Sequence, residues 1–295
     1  MVAIIALVMS QCLFGADKKV DSTWSHRKVA PTWLHRFVPD ISGKTVEIST
    51  ESCHYKPIFG EGDAGARYVQ SIARFSEVEI DPKGACKKVS YPHEEQIYFI
   101  LDGAGIIDYS GTKTSVKKDD FTYIAPGMEH EIFTNSTKPC RLIVMGFKIP
   151  PGRSVAASPK LPLANLNDVK EQTDAGHPTS VLYRLLLGNK QGTNDKIESG
   201  ITVTSLFMMD FAPGGTNFPH RHEIAEEIYL VLDGRGQMVA GGGMDGVEGL
   251  HPAKAGDAYF FRPNCTVGFY NSRAGKAHIL AVRSWVQLPQ RDYQN

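Results

Sequence analysis

The strongest chemical signal in the sequence is a cluster of two histidines and one glutamate in the second half of the chain. His220 and His222 are two positions apart, and Glu227 follows five residues after His222. Residues i and i+2 of a β-strand point to the same face of a sheet, so both imidazoles would face one side. Imidazole and carboxylate ligands suit divalent Fe, Mn, Ni, Co or Zn and leave coordination positions open for water or a substrate. The spacing therefore predicts a site for one divalent transition metal.

An internal repeat indicates which elements must hold this cluster. EQIYFILDGAG at residues 95–105 corresponds to EEIYLVLDGRG at 226–236, and DDFTYIAPGMEH at 119–130 corresponds to GDAYFFRPNCTV at 256–267. Short apolar and aromatic strands bounded by Gly, Pro, Asn and Asp are typical of an all-β barrel or sandwich. An Asp-Gly pair after a strand predicts a hairpin in each half, and the glycine-rich stretch 241–246 predicts the tip of another.

With these residues in place, the sequence resembles the cupin superfamily, whose first motif is G-x5-H-x-H-x3,4-E-x6-G. Gly214, His220, His222, Glu227 and Gly234 match this motif at every spacing. The resemblance covers both repeats and implies an all-β fold of two cupin (jelly-roll) β-barrels in tandem, joined by a short connecting segment. It also implies that the two histidines and the glutamate are the metal ligands.

The second family motif, G-x5-P-x-G-x2-H-x3-N, is only partly retained. Gly256 and Asn271 match its two ends, and Pro263 stands one place later than the motif's proline. Val267 occupies the position of the family's fourth ligand, a histidine, and Asn264 occupies that of the central glycine. A site with three protein ligands and a site with a fourth ligand from elsewhere in the chain both remain open.

The first repeat departs from the motifs in a complementary way. Aligning Gln96 with the glutamate of the second half puts Val89 and Tyr91 at the two histidine positions, whereas His130 matches the histidine of the second motif. A degenerate metal site would use Gln96, His130 and, if the loop slips by two residues, His93. We favour the alternative of a metal-free pocket, in which Tyr91 and His130 bind a ligand or each other.

The remaining segments predict the domain organisation. The apolar run that ends at Gly15-Ala16 resembles a secretory signal and is too short to span a bilayer comfortably. We expect a signal peptide at 1–16, an N-terminal barrel with its N-terminal arm at 17–150, a proline-rich crossover at 151–185, and a C-terminal barrel at 186–295. The signal predicts export to the periplasm or the exterior; without it the protein would be cytoplasmic. A short capped helix is expected after Asn165.

The composition of the chain limits the classes of binding partner that we expect. Lys+Arg and Asp+Glu both total 32, so a net charge of zero argues against nucleic acid as a partner. No stable membrane span is expected, and exposed edge strands allow a monomer or a homodimer. Cys86 and Cys140 are the pair to test for a disulfide, with buried thiols as the alternative. We interpret the other histidines as surface or structural residues and two tryptophans as packing residues: His26, His35, His54, His177, His251 and His278, with Trp24 and Trp33.

The resemblance implies two functions of different class. One is a metal-dependent enzyme acting on a small oxygen-rich substrate as a dioxygenase, decarboxylase, isomerase or lyase. The other is a barrel that binds a sugar or an organic acid without turning it over, which the loss of the fourth ligand favours. In either case the expected cavity wall is aromatic, with alternate members facing outward: Tyr229, Phe260, Phe261, Phe269 and Tyr270.

Overall fold

The computed structural model describes residues 30–153, 158–174, 176–189, 194–243 and 247–286. Within these ranges the chain forms twenty β-strands and three short 3-10 turns. The predicted signal peptide, Trp24 and His26 lie outside the described residues. In the described ranges, no helix has the length and apolar character needed to cross a membrane.

The strands of the first half are short and follow one another closely. They are β1 (Trp33–Phe37), β2 (Cys53–Gly60), β3 (Ile72–Ile80), β4 (Glu94–Asp102), β5 (Ala104–Tyr109), β6 (Thr112–Lys117), β7 (Asp120–Ile124), β8 (His130–Phe133), β9 (Cys140–Lys148) and β10 (Leu163–Asn165). The 3-10 turns span Val38–Asp40, Ala66–Tyr68 and Leu166–Asp168.

The second half repeats this arrangement. Its strands are β11 (Val181–Asn189), β12 (Ile197–Gly200), β13 (Val203–Phe211), β14 (His220–Arg221), β15 (Ala225–Asp233), β16 (Arg235–Gly241), β17 (Glu248–Lys254), β18 (Asp257–Phe261), β19 (Thr266–Asn271) and β20 (Ala277–Trp285). Strand β11 thus begins inside the segment expected to be the crossover.

Each half folds as two sheets that face each other. The first barrel has a six-stranded sheet in the order β10-β7-β4-β9-β3-β2 and a three-stranded sheet in the order β6-β5-β8. The second barrel has a seven-stranded sheet, β1-β18-β15-β20-β13-β11-β12, and a four-stranded sheet, β14-β19-β16-β17. The predicted architecture of two jelly-roll barrels in tandem is confirmed.

The Asp-Gly pairs do not make the predicted hairpins. Strand β4 pairs with β7 and β9, whereas β5 pairs with β6 and β8 in the opposite sheet. Gly103 therefore carries the chain from one sheet to the other, with φ of 77°. A Cβ at this position would lie 2.3 Å from the Pro139 carbonyl oxygen, so only glycine fits this bend. Gly234 makes the same passage in the second barrel. Strands β16 and β17 pair antiparallel as the predicted glycine-rich hairpin requires, and residues 244–246 of its tip lie outside the described residues.

The two barrels exchange edge strands. Strand β1 from the N-terminal arm pairs antiparallel with β18 of the second barrel. Strand β10 from the proline-rich crossover pairs with β7 of the first barrel. The Asn165 side chain accepts a hydrogen bond from the Asn167 backbone N–H at the start of the third 3-10 turn, which confirms a short capped helical turn there. These two strands cover edges that would otherwise be open.

Three apolar cores follow from the alternation of side chains along the strands. One core fills each barrel, and the third lies between the barrels and contains residues of both. Tyr229, Phe261 and Phe269 face the interior of the second barrel, whereas Phe260 belongs to the core between the barrels. Tyr270 is 40% exposed, so the expected aromatic wall is only partly formed by the residues named for it.

The predicted disulfide partner was wrong. Cys86 is bonded to Cys53 at the start of β2, and Cys140 is a buried thiol on β9. The Lys87 backbone N–H donates to the Ile48 carbonyl and Ala85 N–H donates to Ser52 Oγ, which hold the loop around Cys86 against the segment that leads into β2. These local contacts bring Cys86 to Cys53.

Candidate metal centre

The second barrel brings the three predicted ligands to one mouth of the barrel. His220 lies on the two-residue strand β14, where it pairs with Val267 of β19, and His222 is the first residue after that strand. Glu227 lies on β15 in the opposite sheet and is 1% exposed. One nitrogen from each histidine and one oxygen of the carboxylate all lie within 4.8 Å of one another. In the described part of the chain, this is the group that has the composition and spacing of a metal site.

The unsatisfied atoms of this group fit a metal ion. His222 Nε2 and Glu227 Oε2 are both buried and lie 3.2 Å apart, so they form an ion pair when His222 is protonated. When the ring is neutral, neither atom has a hydrogen-bond partner among the described residues. Two ligand atoms each about 2.1 Å from one ion and about 90° apart would be separated by about 3.0 Å. Buried polar atoms without partners are rare in folded proteins and call for an explanation. The residues present therefore fit a divalent metal of the two-histidine, one-carboxylate kind.

Backbone contacts prepare His220 to act as a ligand. Its Nδ1–H donates to the Phe218 carbonyl oxygen at 2.8 Å, so the neutral ring carries its lone pair on Nε2. Burial lowers the pKa of His220, which keeps the ring neutral at physiological pH. An outer hydrogen bond of this type fixes both the tautomer and the orientation of a metal-binding imidazole.

Arg283 on β20 keeps Glu227 ionised. Its Nη2 and Nε donate to Glu227 Oε1 at 3.1 and 3.3 Å, which leaves Oε2 facing His222. Burial alone would raise the pKa of Glu227, but the Arg283 guanidinium and the imidazoles of His222 and His220 lower it to about 2. The carboxylate is therefore charged and ready to bind a cation. Arg283 lies 56 positions from Glu227 in the sequence, and no motif indicated this pairing.

The two departures from the second motif have different structural consequences. Val267 pairs with His220 and is 1% exposed, so an apolar side chain occupies the position of the family's fourth ligand. Asn264 has φ of 65°, a left-handed conformation that asparagine tolerates better than most residues. Its N–H donates to the His222 carbonyl oxygen at 2.8 Å. Asn264 thus preserves the turn that the glycine would make, whereas Val267 removes a ligand.

A third imidazole, which the sequence interpretation had left as a surface or structural residue, contacts the group. The ring of His177 lies 5.0 Å from the ring of His220, the same distance that separates His220 from His222. His177 Nδ1–H donates to the Asn217 carbonyl, next to the Phe218 carbonyl that holds His220. Two successive carbonyls therefore orient two neighbouring imidazoles. His177 lies 43 residues before His220, outside any motif spacing, so sequence reasoning had no signal for it.

The first barrel holds a guanidinium where the second barrel holds its metal-binding group. The strand registers make Arg74, Gln96 and Gly146 equivalent to Ser205, Glu227 and Arg283. The arginine has thus moved to a different strand of the sheet. Gly146 leaves space for it, since a Cβ there would lie 2.6 Å from the Gln96 amide nitrogen and 2.8 Å from Arg74 Cγ.

The Arg74 side chain donates hydrogen bonds to polar groups of this interior. It donates to Glu94 through Nε at 3.0 Å and to the Tyr91 hydroxyl through Nη1 at 3.1 Å. Its guanidinium carbon also lies 4.0 Å from the centre of the Tyr91 ring. Tyr91 aligns with His222, so a fixed cation lies against the residue that replaces a metal ligand. This arrangement favours a metal-free first barrel.

The histidines proposed for a degenerate first site are not free to bind a metal there, although Gln96 Oε1 is buried without a hydrogen-bond partner among the described residues. His130 Nδ1–H donates to the Met128 carbonyl at 2.9 Å, and its Nε2 accepts from the Tyr98 hydroxyl at 2.9 Å. Gln96 donates its amide to Glu94 at 2.7 Å, and His93 is exposed. Both nitrogens of His130 are therefore engaged. Its hydroxyl partner is Tyr98, whereas the Tyr91 ring lies 6.0 Å from the His130 ring.

His130 should make the stability of the protein depend on pH. Burial lowers the pKa of His130 to about 4, below the unfolded value near 6.5, so the unfolded state binds a proton first as the pH falls. Stability due to this group is complete above pH 6.5 and is lost on acidification towards pH 4. Between pH 7 and pH 4.5, we expect the free energy of unfolding, measured with urea, to fall by about 2 to 3 kcal/mol more in wild type than in His130→Gln. Equal losses in both proteins would contradict the assignment.

The fold and the site together define a protein of two jelly-roll barrels, the second of which brings together two histidines and a glutamate that could hold a metal ion. The family model for the cupin domain matches residues 76–146 and 207–283, and each match lies within one barrel. The chain therefore belongs to the cupin family. No curated protein sequence gives a significant match.

Solved structures confirm the fold at low sequence identity. A glyoxylate-induced-protein candidate from Pseudomonas aeruginosa has a TM-score of 0.70 and 16% identity, with 90% of this chain and 92% of that chain covered. The Ylba protein of E. coli has a TM-score of 0.66 and 13% identity, with 88% and 95% covered. Oxalate decarboxylase from Lactobacillus farciminis, solved as a formate complex, has a TM-score of 0.65 and 13% identity, with 89% and 88% covered.

Proposed function

We propose that the second barrel binds one divalent transition metal through His220, His222 and Glu227, and that the protein is a metal-dependent enzyme acting on a small oxygen-rich substrate. The observation that carries this proposal is the convergence of two buried ligand atoms, His222 Nε2 and Glu227 Oε2, which lie 3.2 Å apart and have no partner but each other among the described residues. A metal held there would act as a Lewis acid towards a carbonyl or carboxylate oxygen. The candidate metals are Fe, Mn, Ni, Co and Zn.

The chain's own groups have distinct roles in this proposal. Arg283 holds Glu227 in its ionised form and in one orientation. The Phe218 carbonyl fixes the tautomer of His220. Apolar and aromatic side chains fill the barrel interior behind the group, and its histidines remain partly exposed at the mouth of the barrel. The reaction classes we consider are dioxygenase, decarboxylase, isomerase and lyase, and the likeness to an oxalate decarboxylase makes small carboxylates the first substrates to test.

Metal analysis tests the binding step. We expect purified wild type, loaded and then desalted, to retain about one equivalent of divalent metal per chain. His220→Ala/His222→Ala removes two of three ligands and should reduce the retained metal at least about tenfold. The matched control is His54→Ala/His93→Ala, which removes two histidines of the first barrel and should retain as much metal as wild type. Equal metal in wild type and the site variant would refute the proposal.

Binding without turnover is the second candidate function. It is favoured by Val267 at the position of the fourth ligand and by the engagement of both His130 nitrogens in the first barrel. Oxygen uptake and carbon dioxide release, measured on catechols and organic acids with the metal-loaded protein, separate the two candidates. Turnover that is lost in the site variant supports an enzyme. A rise in melting temperature with a sugar or carboxylate, without turnover, supports a binding protein.

We also propose that the protein is exported. The Cys53–Cys86 disulfide supports this, because structural disulfides persist in oxidising compartments. Fractionation of producing cells, with and without residues 1–16, tests the proposal. The partner we propose is a small molecule, and sedimentation analysis would distinguish a monomer from a homodimer.

A further inference from the structure

The Tyr183 hydroxyl is buried in the second barrel without a partner. Tyr183 lies on β11, pairs with Met209 on β13, and belongs to the apolar core of that barrel. The residue is 4% exposed, and its hydroxyl makes no hydrogen bond to any described residue. A buried hydroxyl costs free energy unless something satisfies it. Among the described residues, the Tyr183 hydroxyl is therefore a donor that remains available to a bound ligand.

Two chains of ring contacts, each through one intermediate residue, link Tyr183 to the candidate metal-binding group. On one side, its ring lies 5.5 Å from the ring of His177, which in turn lies 5.0 Å from the ring of His220. On the other side, its ring lies 5.9 Å from Phe207, and the Arg283 guanidinium lies 5.6 Å from that same Phe207 ring. One set of contacts therefore leads to the ligand residue His220, and the other leads to Arg283, which binds Glu227.

The charge of the site indicates what the hydroxyl would meet. Burial, with smaller effects of Asp174 and Glu227, raises the pKa of Tyr183, so the group keeps its proton and acts as a donor at neutral pH. A divalent ion would add two positive charges to that of Arg283, against one negative charge each from Glu227 and Asp174. The resulting net positive charge favours an anion. A carboxylate can place one oxygen at the metal-binding group and still offer the other as an acceptor.

We propose that Tyr183 is a ligand-positioning residue, which donates its hydroxyl hydrogen to an anionic oxygen of a small carboxylate bound beside His222 and Glu227. This inference rests on the proposed function, and it specifies the class of ligand and the residue that selects it. Without the donor, a carboxylate would keep its attraction to the positive site but lose its orientation.

The stability of Tyr183→Phe tests the inference without any metal. Removing an unsatisfied hydroxyl should leave the melting temperature of the ligand-free protein unchanged or raise it. Tyr259 is the matched control, since it is buried in the same barrel but donates to the Pro252 carbonyl at 3.0 Å. Tyr259→Phe should lower the melting temperature by about 2 to 4 °C. A comparable fall for Tyr183→Phe would show a structural role and overturn the inference.

Formate binding to cobalt-loaded protein tests the ligand contact directly. Co²⁺ reports ligand binding through its visible absorption, and formate is the simplest carboxylate. We expect Tyr183→Phe to bind Co²⁺ as wild type does, but to bind formate about 10- to 100-fold more weakly, the range expected for loss of a hydrogen bond to a charged group. Tyr259→Phe should bind both as wild type does. Unchanged formate affinity in Tyr183→Phe would overturn the inference.

The two proposals fail in different ways. If wild type and His220→Ala/His222→Ala both fail to hold Co²⁺, the metal proposal is wrong, and with it the role of Tyr183 at a metal-bound carboxylate. If wild type holds Co²⁺ and the site variant does not, the metal proposal stands, and the formate affinity of Tyr183→Phe then decides the role of Tyr183 alone.

Discussion

Replacing Glu95 with alanine is expected to lower the free energy of unfolding by about 4 kcal/mol. Glu95 lies on β4 of the first barrel, is fully buried, and accepts hydrogen bonds from three successive backbone N–H groups at the start of the second barrel's β13. The donors are Ile201, Thr202 and Val203, at 2.8, 2.8 and 2.7 Å. Alanine would leave all three N–H groups buried without an acceptor, and each such loss is costly.

The expected effect is large because the contact joins the two barrels. Glu226, at the equivalent position of the second barrel, accepts from the backbone N–H groups of Gln70 and Ser71, at 2.7 and 2.8 Å. Each barrel therefore caps the entry to one strand of the other. Loss of either carboxylate should weaken both barrels together, and we expect the unfolding transition of the variant to remain shared by both.

Urea unfolding of three variants measures this contribution. Glu95→Gln keeps the shape of the side chain but turns an NH2 group towards a backbone N–H donor, so its free energy of unfolding should fall by about half as much as that of Glu95→Ala. Its unfolding can therefore be measured even if the alanine variant fails to fold. Glu129→Ala is the control, because its ion pair with Lys88 lies on the surface and should change stability by less than about 1 kcal/mol. A change of that small size for Glu95→Gln would show that the inter-barrel contact contributes little.

Removal of the Cys53–Cys86 disulfide is the second large effect. The two cysteines are 33 positions apart, and a cross-link of that span restricts the unfolded chain enough to contribute about 3 kcal/mol. Cys53→Ala/Cys86→Ala should therefore unfold at a lower urea concentration than oxidised wild type. Adding a reductant should lower the unfolding midpoint of wild type to that of the variant and leave the midpoint of the variant unchanged.

Peptide mapping checks the pairing itself. Digestion of the unreduced protein should yield a linked peptide pair that contains Cys53 and Cys86, and Cys140 should react with an alkylating reagent after denaturation. A link between Cys86 and Cys140 would contradict the structure. Insensitivity of wild type to reduction would contradict the stability assignment.

The fold was predictable because its signals are local and repeated. Similar strand sequences at residues 95–105 and 226–236 define two equivalent units, and alternation of side chains along strands separates interior from exterior. The Asp-Gly pairs were misleading for the same reason. A local turn signal does not specify whether the next strand pairs with the last one or crosses to the opposite sheet, which depends on strands far away in the sequence.

The sequence by itself determined an all-β chain with an internal repeat, because strand periodicity acts over a few residues. Its resemblance to the cupins implied two jelly-roll barrels, and the motif spacing indicated that His220, His222 and Glu227 can converge. Only the tertiary structure decided the remainder of the site. Arg283 and Tyr183 approach the group from strands 56 and 44 residues away from Glu227, and the intervening spacing carries no periodic signal. Long-range packing, which no local pattern encodes, likewise decides the Cys53–Cys86 disulfide, the pairing of β1 with the second barrel and the contact between His177 and His220.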